Sequence, residues 1–237
     1  MPQQGPGRLD RALVRQVVKQ SVLWLLALGA ILFLSAGTLR WPEAWVLLAL
    51  SALSGFVSGP IIIRHDPELV RQRLRGPIQK EQKPWDKALL AVVVTLALVM
   101  PVVAGIDVKR LGISHMPPWL EVVGALCIVL SLYLFHVVMM TNSYATTVVR
   151  IQDERGHRVI SSGPYGYVRH PMYSGAVLYF LGIALLLGSW WALGIAAVII
   201  VLFAVRAVCE EETLKHELDG YAAYAERVRF RLIPWVW

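Results

Sequence analysis

The chain has 237 residues, of which 57% are hydrophobic and 16% are charged, and its formal net charge is +7 at pH 7. Because soluble domains carry roughly 25% charged residues, this composition excludes an ordinary soluble protein and indicates an integral membrane protein. The basic residues lie mostly between apolar runs, which predicts contact with anionic lipid headgroups rather than with nucleic acid. The two cysteines, Cys127 and Cys209, lie in or beside apolar runs and indicate neither a disulfide framework nor a metal site.

The first apolar run follows a basic N-terminal segment. Nineteen uncharged residues extend from Ser21 to Leu39. The apolar core of a signal peptide is usually only about 7–15 residues long, so we interpret this run as a transmembrane helix. The basic residues that precede it are Arg8, Arg11, Arg15 and Lys19.

Three further apolar runs are predicted to cross the membrane. They are Ala44–Ile63, Ala88–Ile106 and Val122–Met140. Between the first two of them, residues 64–87 are polar and rich in arginine and lysine, which is typical of a cytoplasmic loop.

A longer uncharged run extends over 34 residues, from Met172 to Val205. As one helix it would measure about 50 Å at 1.5 Å per residue, more than the roughly 30 Å of the hydrocarbon core. Gly188 and Ser189 divide it into two arms, so we predict a helical hairpin whose second arm continues into the cytoplasm. By parity, both termini then lie on the cytoplasmic side.

The polar segment before this hairpin mixes charges, aromatic rings and turn residues. Pro171 disfavours helix at the preceding residue, so Arg169 and His170 are predicted to lie in irregular backbone at the membrane surface. Such backbone is tolerated at membrane depth only beside protein or a watery cavity. Together with Tyr165 and Tyr173, these residues predict a polar pocket.

Acidic residues follow on the return helix. Arg206 and Glu210 are four residues apart and therefore on one face, where they could form a simple surface salt bridge. Glu210, Glu211 and Glu212 also place three like charges at a membrane edge, a cost that a cationic ligand would relieve. The resulting hypothesis is a pocket for a zwitterionic ligand that carries an additional positive centre.

The order of these features resembles a known family. The chain resembles the isoprenylcysteine carboxyl methyltransferase family, which groups with the phospholipid N-methyltransferases. The resemblance lies in the segment GPYGYVRHPMY, followed by an apolar hairpin, then EEETL and GYAAYAERVRFRLIPWVW. The resemblance covers about residues 141–237 and is looser before them. The Leu-Asp-Gly at 218–220 departs from the Phe-Gly common in that family.

The resemblance implies S-adenosyl-L-methionine as cofactor and a set of residues that bind it. Arg206 falls where the family has a substrate-binding arginine. Where the acceptor is an amine, a base must take its proton, and chemistry makes His170 or Glu211 the catalytic candidate. The implied cofactor-binding residues are Arg150 or its neighbour Gln152, then His157, Arg158, Val159, Ile160, Tyr165, His170, Pro171, Met172, Tyr173 and Glu210. Arg169 is added to them because its charge, like His170, suits the carboxylate of the cofactor.

The expected protein is therefore an all-α polytopic membrane bundle of about six helices with a C-terminal hairpin and a cytoplasmic cofactor pocket. Residues 1–140 would form the N-terminal membrane helices and residues 141–237 the cofactor-binding part of one integrated domain, in a bacterial cytoplasmic membrane. Its reaction would be O-methylation of a lipidic or prenylated carboxylate. Its expected partners are membrane lipids and this amphiphilic or lipidic methyl acceptor. A phospholipid amine N-methyltransferase, a non-catalytic membrane protein and a nicotinamide-dependent reductase are the alternatives.

Overall fold

The computed structural model describes residues 10–79 and 81–237, so Arg8 and Lys80 lie outside the described residues. The described chain is helical and contains no named β-strand, which confirms the predicted all-α class. Eight α-helices are present in this part of the chain: α1 (Arg11–Ala36), α2 (Pro42–His65), α3 (Pro67–Leu74), α4 (Pro84–Gly105), α5 (Pro118–Thr141), α6 (Pro171–Leu186), α7 (Trp190–Glu217) and α8 (Tyr221–Arg227).

The helix starts follow from local sequence. Five helices begin with proline, which lacks an N–H group that the first turn would leave unpaired anyway. The other two long helices begin with a side-chain cap. Asp10 accepts hydrogen bonds from the backbone N–H groups of Ala12 and Leu13, and Ser189 accepts one from Ala192.

Five helices are long and apolar enough to cross a membrane: α1, α2, the segment Pro84–Leu111 that contains α4, then α5 and α7. Each of the four predicted N-terminal spans corresponds to one of them. Three of these segments extend beyond the predicted run at both ends, whereas α1 begins ten residues before its run and ends at Ala36, three residues short of the predicted Leu39. Many large apolar side chains on their outer faces are exposed, among them Leu34, Phe56 and Leu126. In an integral membrane protein such faces contact lipid. The short helix α3 lies in the basic loop, where no helix was predicted.

The predicted hairpin is present, with α6 and α7 joined at residues 187–189. Gly188 has a φ of +75°, a left-handed conformation that glycine adopts without strain. The Ser189 hydroxyl donates to Asp107, which lies in a π-helical segment, Ile106–Leu111, at the far end of α4. The turn of the hairpin therefore reaches the level at which α4 ends, so α6 and α7 together extend as deep as the longer helices.

The buried core lies between α1, α2, α4, α5 and the hairpin. Its largest fully buried side chains include Leu32, Trp41, Leu47, Met100 and Ile128. This core fixes the hairpin against the N-terminal helices, so the loop before α6 and the C-terminal half of α7 have defined positions at one end of the bundle.

Candidate active site at one end of the hairpin

The polar loop that precedes α6 is attached to the C-terminal tail by backbone contacts. The N–H of Arg169 donates to the carbonyl of Phe230 and that of His170 to the carbonyl of Arg231, both at 2.9 Å. Val168 and Phe230 form an isolated parallel bridge beside them. Irregular backbone at the membrane surface thus has its polar groups satisfied by the tail.

Glu211 is the centre of a buried ionic cluster. Its side chain is 2% exposed, and its carboxylate accepts hydrogen bonds from Arg169 Nε at 2.6 Å, Arg169 Nη2 at 3.1 Å and Arg231 Nε at 3.0 Å. His170 Nε2 lies 3.2 Å from the same carboxylate. Arg169 Nη1 donates to main-chain carbonyls between residues 225 and 229. All three nitrogens of the Arg169 guanidinium are therefore engaged inside the protein.

Glu210, the preceding residue, faces a different environment. The Tyr173 hydroxyl donates to its carboxylate, and His170 Nδ1 lies 3.7 Å from it. The rings of His170 and Tyr173 are stacked, with centroids 5.3 Å apart and planes 4° from parallel. The Arg206 guanidinium lies over the Tyr173 ring at 5.3 Å. One carboxylate thus stands beside two stacked rings.

Arg206 is held by Asp86, a residue that the sequence interpretation missed. Arg206 Nε donates to Asp86 Oδ1 at 2.7 Å, and its Nη2 donates to Asp86 Oδ2 at 3.2 Å and to the Thr147 carbonyl at 2.9 Å. Asp86 Oδ2 also accepts from Gln82 and from the N–H of Val149. A carboxylate at the start of an apolar run was the available signal, because a buried charge at a membrane edge needs a partner.

An open cavity lies between the loop, the start of α6, the end of α7 and α8. Most of the residues predicted to bind a cofactor line it: Arg150, His157, Arg158, Val159, Ile160, Tyr165, Arg169, His170, Met172, Tyr173 and Glu210. Gln152 and Pro171 are not among the lining residues, and neither are Arg206 and Glu211, which lie behind the wall in their ion pairs.

The loop wall of the cavity is rigidified by its own hydrogen bonds. Gln152 is fully buried, and its amide donates to the carbonyl of Tyr144 at 2.9 Å. The ring of His157 packs on that of Tyr144 with centroids 4.5 Å apart. Burial lowers the pKa of His157, which favours the neutral ring that can accept the N–H of Gln152 at Nδ1. Gln152 therefore supports the wall from behind.

The tail contributes two tyrosines to the cavity. Tyr221 and Tyr224 of α8 both line it, and the Tyr224 hydroxyl donates to the Tyr165 carbonyl at 2.8 Å. Burial raises the pKa of Tyr224 to about 12, so the phenol stays protonated at neutral pH and keeps its hydrogen bond to the loop. Tyr221 and Tyr224 pack with Leu218 and Val228 in a small apolar cluster.

Fold and site together define a class: an integral membrane helical bundle with a polar, aromatic-lined cavity at one end of a deep helical hairpin. The family model described as phospholipid methyltransferase matches residues 119–219, which include α5, the loop, the hairpin and most of the cavity wall. This match covers less than half of the chain.

Two curated proteins are similar to this chain. Protein-S-isoprenylcysteine O-methyltransferase B of Arabidopsis thaliana is 31% identical over 113 residues, which cover 46% of this chain and 57% of the relative. Protein-S-isoprenylcysteine O-methyltransferase of Schizosaccharomyces pombe is 28% identical over 83 residues, or 34% of this chain and 35% of the relative. The chain thus spans about a third to somewhat more than half of the relatives it matches. Both relatives bear names of the family that the sequence motifs resemble, so the comparisons support that resemblance over the matched part of the chain.

Proposed function

We propose that this protein is an S-adenosylmethionine-dependent membrane methyltransferase that methylates the carboxylate of a lipidic or prenylated acceptor. The observation that carries the proposal is the position of Glu210 beside the stacked rings of His170 and Tyr173, with Arg206 directly behind them. This arrangement lies within the segment that matches a methyltransferase family.

The chemistry of the cavity fits the proposed cofactor. S-adenosylmethionine has an ammonium group, a carboxylate, an adenosine and a sulfonium, whose methyl group passes in line to a nucleophile. Glu210 offers a carboxylate to an ammonium group. Tyr173 and His170 offer ring faces near a sulfonium charge. Val159 and Ile160, also on the wall, offer apolar surface to the adenine ring of the adenosine.

Arg206 would orient the acceptor. Within the described residues its hydrogen bonds use Nε and Nη2, so Nη1 is the donor left for a substrate oxygen. Asp86 fixes the plane of the guanidinium, which reduces the entropy lost when an acceptor is bound. A carboxylate acceptor is already ionised at neutral pH, so no side chain has to remove a proton. The work of the chain is then positioning and the exclusion of water by the hairpin.

In this proposal the cavity faces the cytoplasm, where the cofactor is available, and both chain termini lie on that side. The basic α2–α4 connection supports this orientation because cytoplasmic loops are rich in arginine and lysine. The acceptor would approach laterally from the bilayer, beside the apolar hairpin.

A phospholipid amine is the second candidate acceptor. An amine must lose a proton, and the buried contact of His170 Nε2 with Glu211 provides a ring whose other nitrogen, Nδ1, is directed towards Glu210 at the cavity. The family description also names phospholipids. A nicotinamide-dependent reductase is disfavoured by Glu210 in the cavity, because a phosphate-rich cofactor would be repelled there.

The test is a methyl-transfer assay on purified protein in lipid nanodiscs with labelled S-adenosylmethionine. The acceptors offered are an S-prenylated N-acetylcysteine and phosphatidylethanolamine. We expect label in a product that alkali converts to methanol, as a methyl ester requires, whereas label that resists alkali would indicate N-methylation. Transfer to neither acceptor, together with no cofactor binding by the folded protein, would refute the proposal.

A matched pair of variants links the activity to the cavity. Glu210→Gln removes the carboxylate that faces the cavity, and we expect cofactor affinity to fall by about 10- to 100-fold, as for loss of a charge-assisted hydrogen bond. Glu212→Gln changes an exposed carboxylate on the same helix that pairs with the exposed His216, and it should retain wild-type affinity.

A further inference from the structure

A zwitterionic cofactor needs a cation for its carboxylate, and the arginines that line the cavity are poor candidates. Arg169 is fully engaged by Glu211 and the tail. Arg150 is neutralised by Glu81 at 2.7 Å and Glu154 at 2.9 Å. Arg158 is exposed, so its charge is solvated. The cation for the cofactor carboxylate must therefore be a side chain other than these three arginines, or else an ion from solvent.

Arg73, on the short helix α3, is placed against the wall of this cavity. Its Nη1 donates to the carbonyl of Ala145 at 2.7 Å and lies 3.6 Å from the Met172 sulfur, and both of these residues line the cavity. Within the described residues, Arg73 has no carboxylate at ion-pair distance, unlike Arg71 on the same helix, which pairs with Asp10. Burial lowers the pKa of Arg73, the expected result for a desolvated cation without a counter-ion.

Tyr165 also lines this cavity. Its hydroxyl accepts a hydrogen bond from Asn142 Nδ2 at 2.8 Å, so its own hydrogen can be donated to a ligand. Burial raises the pKa of Tyr165, and the group stays protonated at neutral pH. Both the Arg73 cation and the Glu210 carboxylate interact electrostatically with this phenol. Tyr165 and Glu210 line the cavity whose wall residues Ala145 and Met172 contact Arg73, so one cavity offers a cation, a hydroxyl and a carboxylate to the adjacent carboxylate and ammonium groups of an α-amino acid.

We propose that Arg73, assisted by the Tyr165 hydroxyl, binds the carboxylate of the amino-acid part of S-adenosylmethionine, while Glu210 binds the neighbouring ammonium group. The inference rests on the proposed function and adds a specific cofactor contact to it. Arg73 belongs to the cytoplasmic connection before α4 and lies outside residues 119–219, the segment matched by the family. The N-terminal part of the chain thus completes the cofactor site.

The test is calorimetric binding of two ligands to the full-length protein in detergent: S-adenosylmethionine and its decarboxylated analogue, which differs only by the absence of the carboxylate. In Arg73→Met, we expect affinity for S-adenosylmethionine to fall by about 10- to 100-fold, as for loss of a charge-assisted hydrogen bond. Affinity for the decarboxylated analogue should stay within about twofold of wild type. In Tyr165→Phe, we expect a smaller loss with the same selectivity.

Two further arginine variants serve as controls. Arg75→Met removes an exposed arginine just after α3 and should leave both affinities unchanged. Arg158→Met removes the exposed arginine of the wall and should show no selectivity between the two ligands. Arg73→Lys retains a cation and should recover part of the lost affinity.

The outcomes separate this inference from the proposed function. Equal weakening of both ligands by Arg73→Met would show that Arg73 only supports the loop through Ala145, and would overturn the inference. Unchanged binding in Arg73→Met, or a selective loss in Arg158→Met instead, would also overturn it while leaving the methyltransferase proposal intact. No binding of either ligand by the folded wild-type protein would overturn both.

Discussion

At the scale of single residues, the three consecutive glutamates of α7 have different surroundings. Glu210 faces the cavity with a side chain 22% exposed, Glu211 is buried among cations, and Glu212 is exposed beside His216. Successive residues of an α-helix point about 100° apart, because there are 3.6 residues per turn. Only one of these three carboxylates is therefore positioned to meet a cationic ligand directly.

The pair of Asp86 and Arg206 gives a prediction at this scale. Asp86→Asn leaves the buried Arg206 guanidinium without a counter-charge, and we expect it to destabilise the protein by about 3 kcal/mol, as for other buried pairs broken on one side. Thermal and denaturant unfolding of the detergent-solubilised protein measures this change.

A double-mutant cycle tests whether the effect comes from the pair. In Asp86→Asn/Arg206→Met the cation left unpaired by the first substitution is also removed, so the double variant should be more stable than Asp86→Asn alone. Additive losses in the double variant would contradict the pairing. The exposed pair of Lys83 and Glu217 offers a comparison, because its removal should change stability by at most about 1 kcal/mol.

At the scale of helices, α5 and α6 pack closely through glycine. A Cβ atom built on Gly124 would lie 2.4 Å from the backbone nitrogen of Leu186 and 2.7 Å from the carbonyl oxygen of Gly182. A Cβ atom on Gly182 would lie 2.8 Å from the carbonyl oxygen of Gly124. Small residues let helix backbones approach closely in membranes, and here they set the position of the hairpin.

We therefore expect Gly124→Ala to separate α5 from α6 and to lower stability by about 1–3 kcal/mol, the usual cost of overpacking. The control is Gly194→Ala in α7, where nothing lies within 4 Å of the added Cβ atom. It should be neutral or slightly stabilising, because alanine favours helix. The test compares the unfolding temperatures of the two variants in the same detergent. Equal values would contradict the close approach of α5 and α6 at Gly124.

At the scale of the whole molecule, the contact of Ser189 with Asp107 implies that the hairpin crosses the bilayer as completely as α4 does. We expect six crossings. Single cysteines at His115 and Trp191 should then react with an impermeant maleimide in intact cells, while single cysteines at Arg75 and Glu226 should react only after permeabilisation. All four positions are exposed, and the two native cysteines are first replaced by serine.

The decisive position in that experiment is Trp191, beside the turn of the hairpin. Protection of Trp191→Cys in intact cells, with normal labelling of His115→Cys, would show that the hairpin enters the membrane and does not cross it. Labelling of Glu226→Cys from outside would place the cavity on the opposite face and contradict the proposed cytoplasmic orientation.

Much of the architecture could be predicted from the sequence because membrane insertion is governed by local composition. Long uncharged runs located α1, α2, α4 and α5, and the excess length of the run from Met172 to Val205 predicted the hairpin. The helix α3 was missed because eight residues between basic groups carry no hydropathy signal. Its start at Pro67, capped by the Asp66 side chain, was a local signal that could have located it.

The amino-acid sequence by itself determined the all-helical membrane class, the hairpin, the family resemblance and most of the residues that line the cavity, since these depend on local hydropathy and on one continuous motif. Only the tertiary structure showed that Asp86 pairs with Arg206, 120 positions away in the sequence. The same holds for the ion pair that engages Arg169 with Glu211, and for the contact of Arg73 with the cavity wall. Ion pairs between distant segments depend on how helices pack. That packing is set by close approaches such as Gly124 against Gly182, which no local pattern specifies.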